Sequence, residues 1–298
     1  MSVLIPTLNR PGYLLNTIYS VINSKFECEI LICDQSDYIN VCVQDLEKKY
    51  LFLKYFKVPF KSLTKARNFL VFKANSKICV FIDDDVELKN GYFDNIYYNF
   101  QNSDVCGLTG PVFLEKKHFS LDNNLTIQDI DRKYKKGLLL SDVNFAHTPP
   151  WMIGCNHAFR RTDIIKAGGY DENFYGVAIG EDAEMSVRVK SSCGGNLFYD
   201  PTMALIHFRA PSGGCRNIKM IFFSQVSNVA NSNYHFLKCK VGFFLCFSNQ
   251  YILFRTYLIN KKLLSVKYFI FQIPIFFIGY FYSLVMYFKW TYGSKKFL

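Results

Sequence analysis

The chain has 298 residues, of which 50% are hydrophobic and 17% aromatic. That much apolar surface excludes a disordered or collagen-like protein and suffices for one large domain, or one domain with an appendage. The net charge of +11 is unevenly placed: all 24 acidic residues lie at or before Asp200, and residues 201–298 carry 12 Lys and Arg and no acid.

A near-neutral body followed by a basic, apolar tail suits anionic lipid better than nucleic acid. The tail's charges are separated by runs of Phe, Ile, Leu and Tyr rather than by single aromatics. A membrane surface is therefore an expected partner and nucleic acid is not. Met1–Pro6 lacks a basic leader and a long apolar stretch, so it reads as a strand rather than a signal peptide. The ten cysteines form no CxxC pair, and Cys28, Cys33, Cys79 and Cys155 sit in apolar or strand-like contexts, which predicts free thiols in a reducing cytosol.

Along the chain, Ser2–Ile5 is a short apolar strand, and Pro11 opens a helix with a buried stripe of Leu14, Ile18, Val21 and Ile22. Glu29–Cys33 is a second strand, Val41–Tyr50 a second helix and Leu51–Phe56 a third strand. Lys65–Asn75 follows as a helix with Ala66, Leu70 and Ala74 on one face. Ile78–Ile82 is a continuous apolar run, as at the centre of a parallel sheet. This alternation predicts an α/β fold, a doubly wound open sheet with ligands at the carboxyl ends of its strands. Residues 115–145 are polar and lysine-rich and read as an irregular insertion. Sheet signals return at Met152–Arg160 and Asn196–Tyr199, separated by the Gly168-Gly169 turn and a helix from Glu181. Ile218, Phe222, Val226 and Val229 predict an amphipathic helix over 215–236.

The tail beyond holds two apolar segments. Val241–Phe254, at 14 residues, is too short to span a bilayer as a straight helix. Tyr268–Phe288 has 21 uncharged residues between Lys267 and Lys289, which meets the length of a span. Gln272, Pro274, Gly279 and Ser283 dilute it, so spanning, re-entering and lying in the interface all stay open. A helix buried in a soluble core is the alternative that the missing acids argue against.

The chemistry concentrates at Asp83-Asp84-Asp85, directly after the apolar strand. Three adjacent carboxylates repel one another unless a cation or hydrogen bonds offset them. Strand alternation points Asp83 and Asp85 the same way, where oxygen ligands suit Mg²⁺ or Mn²⁺ and a diphosphate held through it. Capping of the next helix is the plain alternative. Glu181-Asp182 follows Gly180 at a helix start, where a carboxylate can cap or can serve as a general base. His207 follows a strand, where it is structural or a metal ligand. Arg67 and Asn68, early in a helix, can meet a nucleotide or lie on a solvated face.

In order, Ile5-Pro6-Thr7-Leu8-Asn9-Arg10, Asp34-Gln35-Ser36, Thr64–Asn68, Asp83–Asp85, Gly154-Cys155-Asn156, Gly168–Glu172, Gly180–Asp182 and His207 resemble the family 2 glycosyltransferases over roughly residues 1–235. The resemblance implies a GT-A fold for residues 1–236, with 237–298 as a membrane-associated helical tail. It also implies metal-dependent, inverting transfer of a sugar from a nucleoside diphosphate sugar. By the same resemblance Pro6, Thr7 and Asp34 hold the base, and Arg67 and Asn68 help to hold the nucleotide. Asp83 and Asp84 bind ribose or sugar, Asp85 and His207 bind Mn²⁺ or Mg²⁺, Asp182 is the base and Glu181 contacts the acceptor. The chain lacks the QxxRW pattern of processive synthases, which favours single addition.

The expected acceptor is a hydroxyl of a lipid-linked glycan, in bacterial O-antigen or capsule synthesis on the cytoplasmic face of the membrane. Transfer to a polyprenyl phosphate is the alternative that the apolar tail would also suit. A haloacid-dehalogenase-like phosphatase shares an acidic strand end, but Glu87 stands where its Thr or Val belongs. A non-catalytic tethered module would have had no use for the retained carboxylates. Because every one of these site residues precedes Asn233, a cut there is expected to release a soluble, donor-hydrolysing body.

Overall fold

Alternating apolar strands and short capped helices build the first half of the protein. β1 (Ser2–Thr7), α1 (Pro11–Asn23), β2 (Glu29–Asp34), α2 (Val41–Lys49), β3 (Leu53–Lys57), α3 (Leu63–Lys73) and β4 (Ile78–Ile82) follow in the expected order. This is a computed structural model, and it describes residues 1–114, 125–135, 143–214, 221–238 and 266–292. Pro11 stands at the first position of α1, where its missing N–H is not needed. Leu14, Ile18 and Val21 of that helix are buried against the sheet. The Asn40 and Ser62 side chains cap α2 and α3. The third helix begins two residues earlier than the sequence predicts.

The remaining elements are β5 (Val86–Leu88), α4 (Asp94–Asn99), β6 (Val105–Thr109), β7 (Val112–Leu114), α5 (Ile127–Lys135), β8 (Asn156–Arg160), α6 (Arg161–Lys166), α7 (Glu181–Cys193), β9 (Asn196–Tyr199), β10 (Leu205–His207), α8 (Ile221–Lys238) and α9 (Val266–Tyr292). A seven-stranded sheet runs β3-β2-β1-β4-β8-β6-β9, and a three-stranded sheet runs β5-β10-β7. The large sheet is mostly parallel. β8 is the exception, antiparallel to both β4 and β6. It also starts at Asn156 rather than Met152: the Met152 and Ile153 N–H groups donate to Ser186 Oγ at 3.2 Å and Thr109 Oγ1 at 3.3 Å instead of to the backbone of a neighbouring strand.

The insertion expected to be irregular contains a helix. α5 buries Ile130 against Val143 and Tyr199, so an apolar anchor fixes part of it to the body. The expected segment Val241–Phe254, and Ile218 of the expected 215–236 helix, lie outside the described residues. α8 itself runs through the expected boundary at 236/237 and ends at Lys238. Among the described residues all seven cysteines are free, and only Cys42 is exposed. Burial pushes the Cys33 and Cys79 thiols up to about 12.

α8 has two working faces. Val226 and Val229 pack with Ile275 of α9. A Cβ on Gly279 would stand 2.7 Å from Val229 Cβ and 2.9 Å from the Val226 carbonyl, so glycine is what lets the two helices approach this closely. Asn233 donates to Ser283 Oγ at 2.5 Å across the same contact. The other face meets the body: Asn231 donates to the Tyr175 carbonyl at 2.7 Å. Lys238 Nζ lies 2.5 Å from Asp171 and 2.7 Å from Glu184 of α7.

Candidate active site

β4 ends at Ile82, and the three aspartates carry the chain out of the large sheet into β5. β10 lies antiparallel to β5 with His207 opposite Val86. That register brings His207 to the residue just before Val86. His207 Nε2 is 3.0 Å from Asp85 Oδ1 and 3.8 Å from Asp83 Oδ2. Asp85 Oδ2 accepts the Ala210 N–H at 2.7 Å, and its backbone carbonyl accepts that of Phe208 at 2.9 Å. One ligand atom from each of Asp83, Asp85 and His207 falls within 4.8 Å of the others. Two carboxylate oxygens and one imidazole nitrogen fit Mn²⁺ or Mg²⁺. Burial alone would depress His207, but its hydrogen bond to Asp85, with Cys155 and Asp83 nearby, raises it to about 11. The carboxylates thus make a site that attracts a positive charge whether or not a metal supplies it.

The three aspartates lie in the connection between β4 and β5 rather than in a strand, so the expected alternation does not govern them, and Asp84 has partners of its own. Thr7 Oγ1 donates to it at 2.6 Å and Arg10 Nη1 at 2.8 Å. Burial raises the Asp84 carboxyl to about 6, against the opposing pull of Arg10. The same guanidinium is 3.2 Å from Asp85 and donates through Nε to the Ser212 carbonyl at 3.1 Å. Arg10 therefore ties β1, the acidic triplet and the segment after β10 together. Sequence reading missed this role; its one signal was an Arg ending the Pro6–Arg10 motif.

These groups border a cavity of about 480 Å³, lined among others by Pro6, Thr7, Asp83, Asp84 and His207. A neighbouring cavity of about 370 Å³ is lined by Thr7, Asn9, Asp34 and Ser36. Thr7 touches both because β1 and β2 pair with Thr7 opposite Asp34. Asp34 accepts the Ser36 N–H at 2.7 Å and the Tyr55 hydroxyl. Among the described residues, four non-glycine residues have positive φ: Asn9, Lys25, Ala178 and Arg209, at 55°, 56°, 52° and 53°. Such strain in non-glycine residues is frequent at functional sites; Asn9 borders the smaller cavity, Ala178 precedes Ile179 and Arg209 lies two residues past His207, while Lys25 lies away from both cavities.

The second carboxylate pair is joined to the first through Arg67. Fully buried in α3, Arg67 pairs with Glu181 and donates to the Gly154 carbonyl at 2.8 Å, and its Nη2 is 3.8 Å from Asp83. Burial drives Glu181 and Asp182 above the usual carboxylate range, opposed by Arg67. Gly154 also leaves room for Asp182, since a Cβ there would stand 2.8 Å from Asp182 Oδ2. Asn68 faces elsewhere. It donates to the Tyr170 carbonyl at 2.9 Å and to Glu172 at 3.0 Å, and accepts the Tyr170 N–H at 2.7 Å. The structure thus gathers Pro6, Thr7, Asp83, Asp84 and His207 at one cleft, with Asp85 buried against His207 and Asp34 in the adjoining cavity. Arg67 and Glu181 hold each other, and Asn68 holds the Gly168–Glu172 loop.

Residues 2–167 match the family model of Glycosyl transferase family 2. The chain belongs to that family. Minor teichoic acid biosynthesis protein GgaB of Bacillus subtilis (strain 168) is 25% identical over 192 residues, which are 62% of this chain and 20% of that protein. The chain thus spans about a fifth of the length of this curated relative. Among solved structures, S. aureus TarS 1-349 superposes with a TM-score of 0.61 at 12% identity, covering 98% of this chain and 91% of that one. Mannosyltransferase PcManGT from Pyrobaculum calidifontis, solved with GDP-Man and Mn²⁺, gives 0.58 at 12% identity over 95% of this chain and 86% of that one. GalNAc-T7, solved with UDP, GalNAc and Mn²⁺, gives 0.60 at 19% identity over 79% of this chain and 50% of that one. These likenesses establish the GT-A fold. Membership of family 2 also removes the phosphatase reading of the acidic strand end.

Proposed function

We propose that the chain is a metal-dependent, inverting glycosyltransferase that moves one sugar from a nucleoside diphosphate sugar to a hydroxyl of a glycan acceptor. The observation that carries this reading is the cluster of Asp83, Asp85 and His207, of which Asp83 and His207 line a cleft together with Pro6 and Thr7. Asp83, Asp85 and His207 would hold Mn²⁺ or Mg²⁺, which when bound offsets negative charge developing on the departing diphosphate. Pro6, Thr7 and Asp34 border the space for the base and ribose. Arg10 keeps Asp84 and Asp85 in place, so their mutual repulsion does not open the cleft. Asp182, made more basic by burial, takes the proton of the incoming hydroxyl. Arg67 fixes Glu181 beside it and steadies Asp83 from the other side. Leaving-group stabilisation and proton removal thus fall to two carboxylate clusters with one guanidinium between them, an arrangement suited to inversion.

The acceptor we assign is a lipid-linked glycan of a bacterial surface polymer, by analogy with the teichoic acid biosynthesis named for GgaB. The catalytic domain would reach Lys238, and the tail beyond it would hold the enzyme at the cytoplasmic membrane face. Supporting this are the twelve basic and no acidic residues after Asp200. So does an outward apolar stripe on α9, with Phe277, Phe281 and Phe288 all more than half exposed. Ile273–Thr291 is long and apolar enough to cross a membrane. The test is release of nucleoside diphosphate from a panel of nucleotide sugars by purified full-length protein. Release that needs Mn²⁺ or Mg²⁺ and stops in EDTA supports the reading. Failure with every donor, or full activity in EDTA, would contradict it.

A further inference from the structure

α8 lies outside the stretch that carries the family match, which ends at residue 167, yet it walls the cleft. Most polar groups on its body-facing side are engaged. Asn231 bonds the Tyr175 backbone, and Tyr234 and Lys238 bond Asp171. Asn228 differs from these. It lines the same 480 Å³ cavity as Pro6, Thr7, Asp83 and His207. Its Oδ1 is shut off from solvent and accepts no hydrogen bond from any described residue. A buried amide oxygen without a donor is unfavourable, and native proteins rarely leave one so except where a ligand or water completes it.

The chemistry of the missing partner is restricted. A carbonyl oxygen needs a hydrogen-bond donor, so a diphosphate, which offers only acceptors, cannot satisfy it. Pro6 and Thr7 border the nucleotide end of the cavity, and Asp83 and His207 the candidate cation site. A nucleotide sugar bears donors on its base, its ribose and its sugar; the base and ribose are assigned to the side of Asp34, whose cavity Asn228 does not line, which leaves the sugar. We propose that Asn228 is a specificity-determining residue that accepts a hydrogen bond from a hydroxyl or acetamido N–H of the donor sugar. This rests on the glycosyl-transfer reading above.

The experiment measures dissociation constants in Mn²⁺ for UDP- and GDP-linked sugars, including C4 epimers and N-acetyl forms, and for free UDP and GDP. The proteins are full-length wild type, Asn228→Leu, which nearly keeps the shape, and Asn228→Ala, in case leucine crowds the cleft. Both variants should weaken the preferred nucleotide sugar about 5- to 10-fold and narrow its preference over the epimer by a similar factor. Binding of the free nucleoside diphosphate should stay within about twofold, which also reports an intact fold. Equal weakening of the sugar-bearing and sugar-free ligands, or no change in either, would overturn the proposal. Unchanged donor binding with impaired transfer would overturn it too, moving Asn228 to the acceptor side. A folded wild-type protein that binds free nucleoside diphosphate but no nucleotide sugar defeats the glycosyl-transfer reading itself, and the inference with it.

Discussion

Asp182 is a carboxylate that burial holds above its usual pKa while Arg67 pulls it down. Its base form therefore appears only as pH rises through a value above that of a free aspartate. The acid limb of kcat should accordingly lie above the usual aspartate range, and should not move with Mn²⁺ concentration once metal is saturating. Replacing Asp182 by Asn keeps the shape but removes the proton acceptor, so kcat should fall ~10²–10⁴-fold with nucleotide binding retained. Turnover near the wild-type rate would show that another group is the base. The same shift has a stability consequence. A folded-state pKa raised above the unfolded value contributes stability at low pH that is lost as pH rises through the folded value. The Asn variant should thus gain in Tm relative to wild type, without metal, as pH rises above the usual aspartate range. A constant difference would mean that Asp182 is not desolvated.

Among the elements, α8 and α9 are bound to the body. Lys238 is 2% exposed at its side chain, pairs with Asp171 and Glu184, and sits 4.8 Å over the Trp290 ring of α9. Glu184 is two residues past Asp182 on α7, so this buried pair bears on the helix that carries the proposed base. Lys238→Met should destabilise the fold by about 3–5 kcal/mol, because it leaves the buried Asp171 carboxylate without its cation, while Glu184 keeps Arg188. A cut after Asn233 removes Tyr234 and Lys238 together and should lose the cooperative unfolding transition and nucleotide binding. A cut after Lys238 keeps the pairs and should retain both. Equal behaviour of the two truncations, in melting and in nucleotide binding, would deny Lys238 this role.

The same elements show what was legible in the sequence. β1 to β4 could be read because apolar runs of strand length alternate with helical stripes such as Leu14, Ile18 and Val21. Asp83 and Asp85 could be read as a pair from their spacing of two, although they lie in the connection after β4 and His207 is what draws them together. The partner of Asp85 depends on the β5–β10 register, and the partner of Asp84 on Arg10 meeting it across β1 and β4. Neither is encoded at short range. β8 was legible as a strand but not as antiparallel, since that direction is set by how the chain returns between β4 and β6. Arg67 and Asn68 showed their polarity but not their direction, and both turned inward to hold Glu181 and the Gly168–Glu172 loop. Asn228 looked like one more polar position on an amphipathic helix, because only the packed fold makes it line a cavity.

Over the whole molecule, charge and apolar surface separate along the chain. The basic residues contribute salt-sensitive attraction of about 1 kcal/mol each near an anionic leaflet, and the apolar stripe of α9 contributes attraction that salt does not screen. The full-length protein should therefore sediment with membranes and be released only partly by high salt. Phe277→Glu combined with Phe281→Glu should move it towards the soluble fraction with nucleotide binding unchanged. Full-length protein that is soluble at low salt without detergent would instead make α9 a folded cap.

The central claim is that Asp83, Asp85 and His207 hold the cation that in turn holds the donor diphosphate. It is tested most directly by titrating Mn²⁺ into full-length protein with nucleoside diphosphate present, following free Mn²⁺ by electron paramagnetic resonance. Wild-type protein should retain a tightly held ion whose affinity falls when the nucleoside diphosphate is omitted, and Asp85→Ala should lose it while remaining folded. An Asp85→Ala protein that holds Mn²⁺ as tightly as wild type would contradict the assignment of this cluster as the metal site.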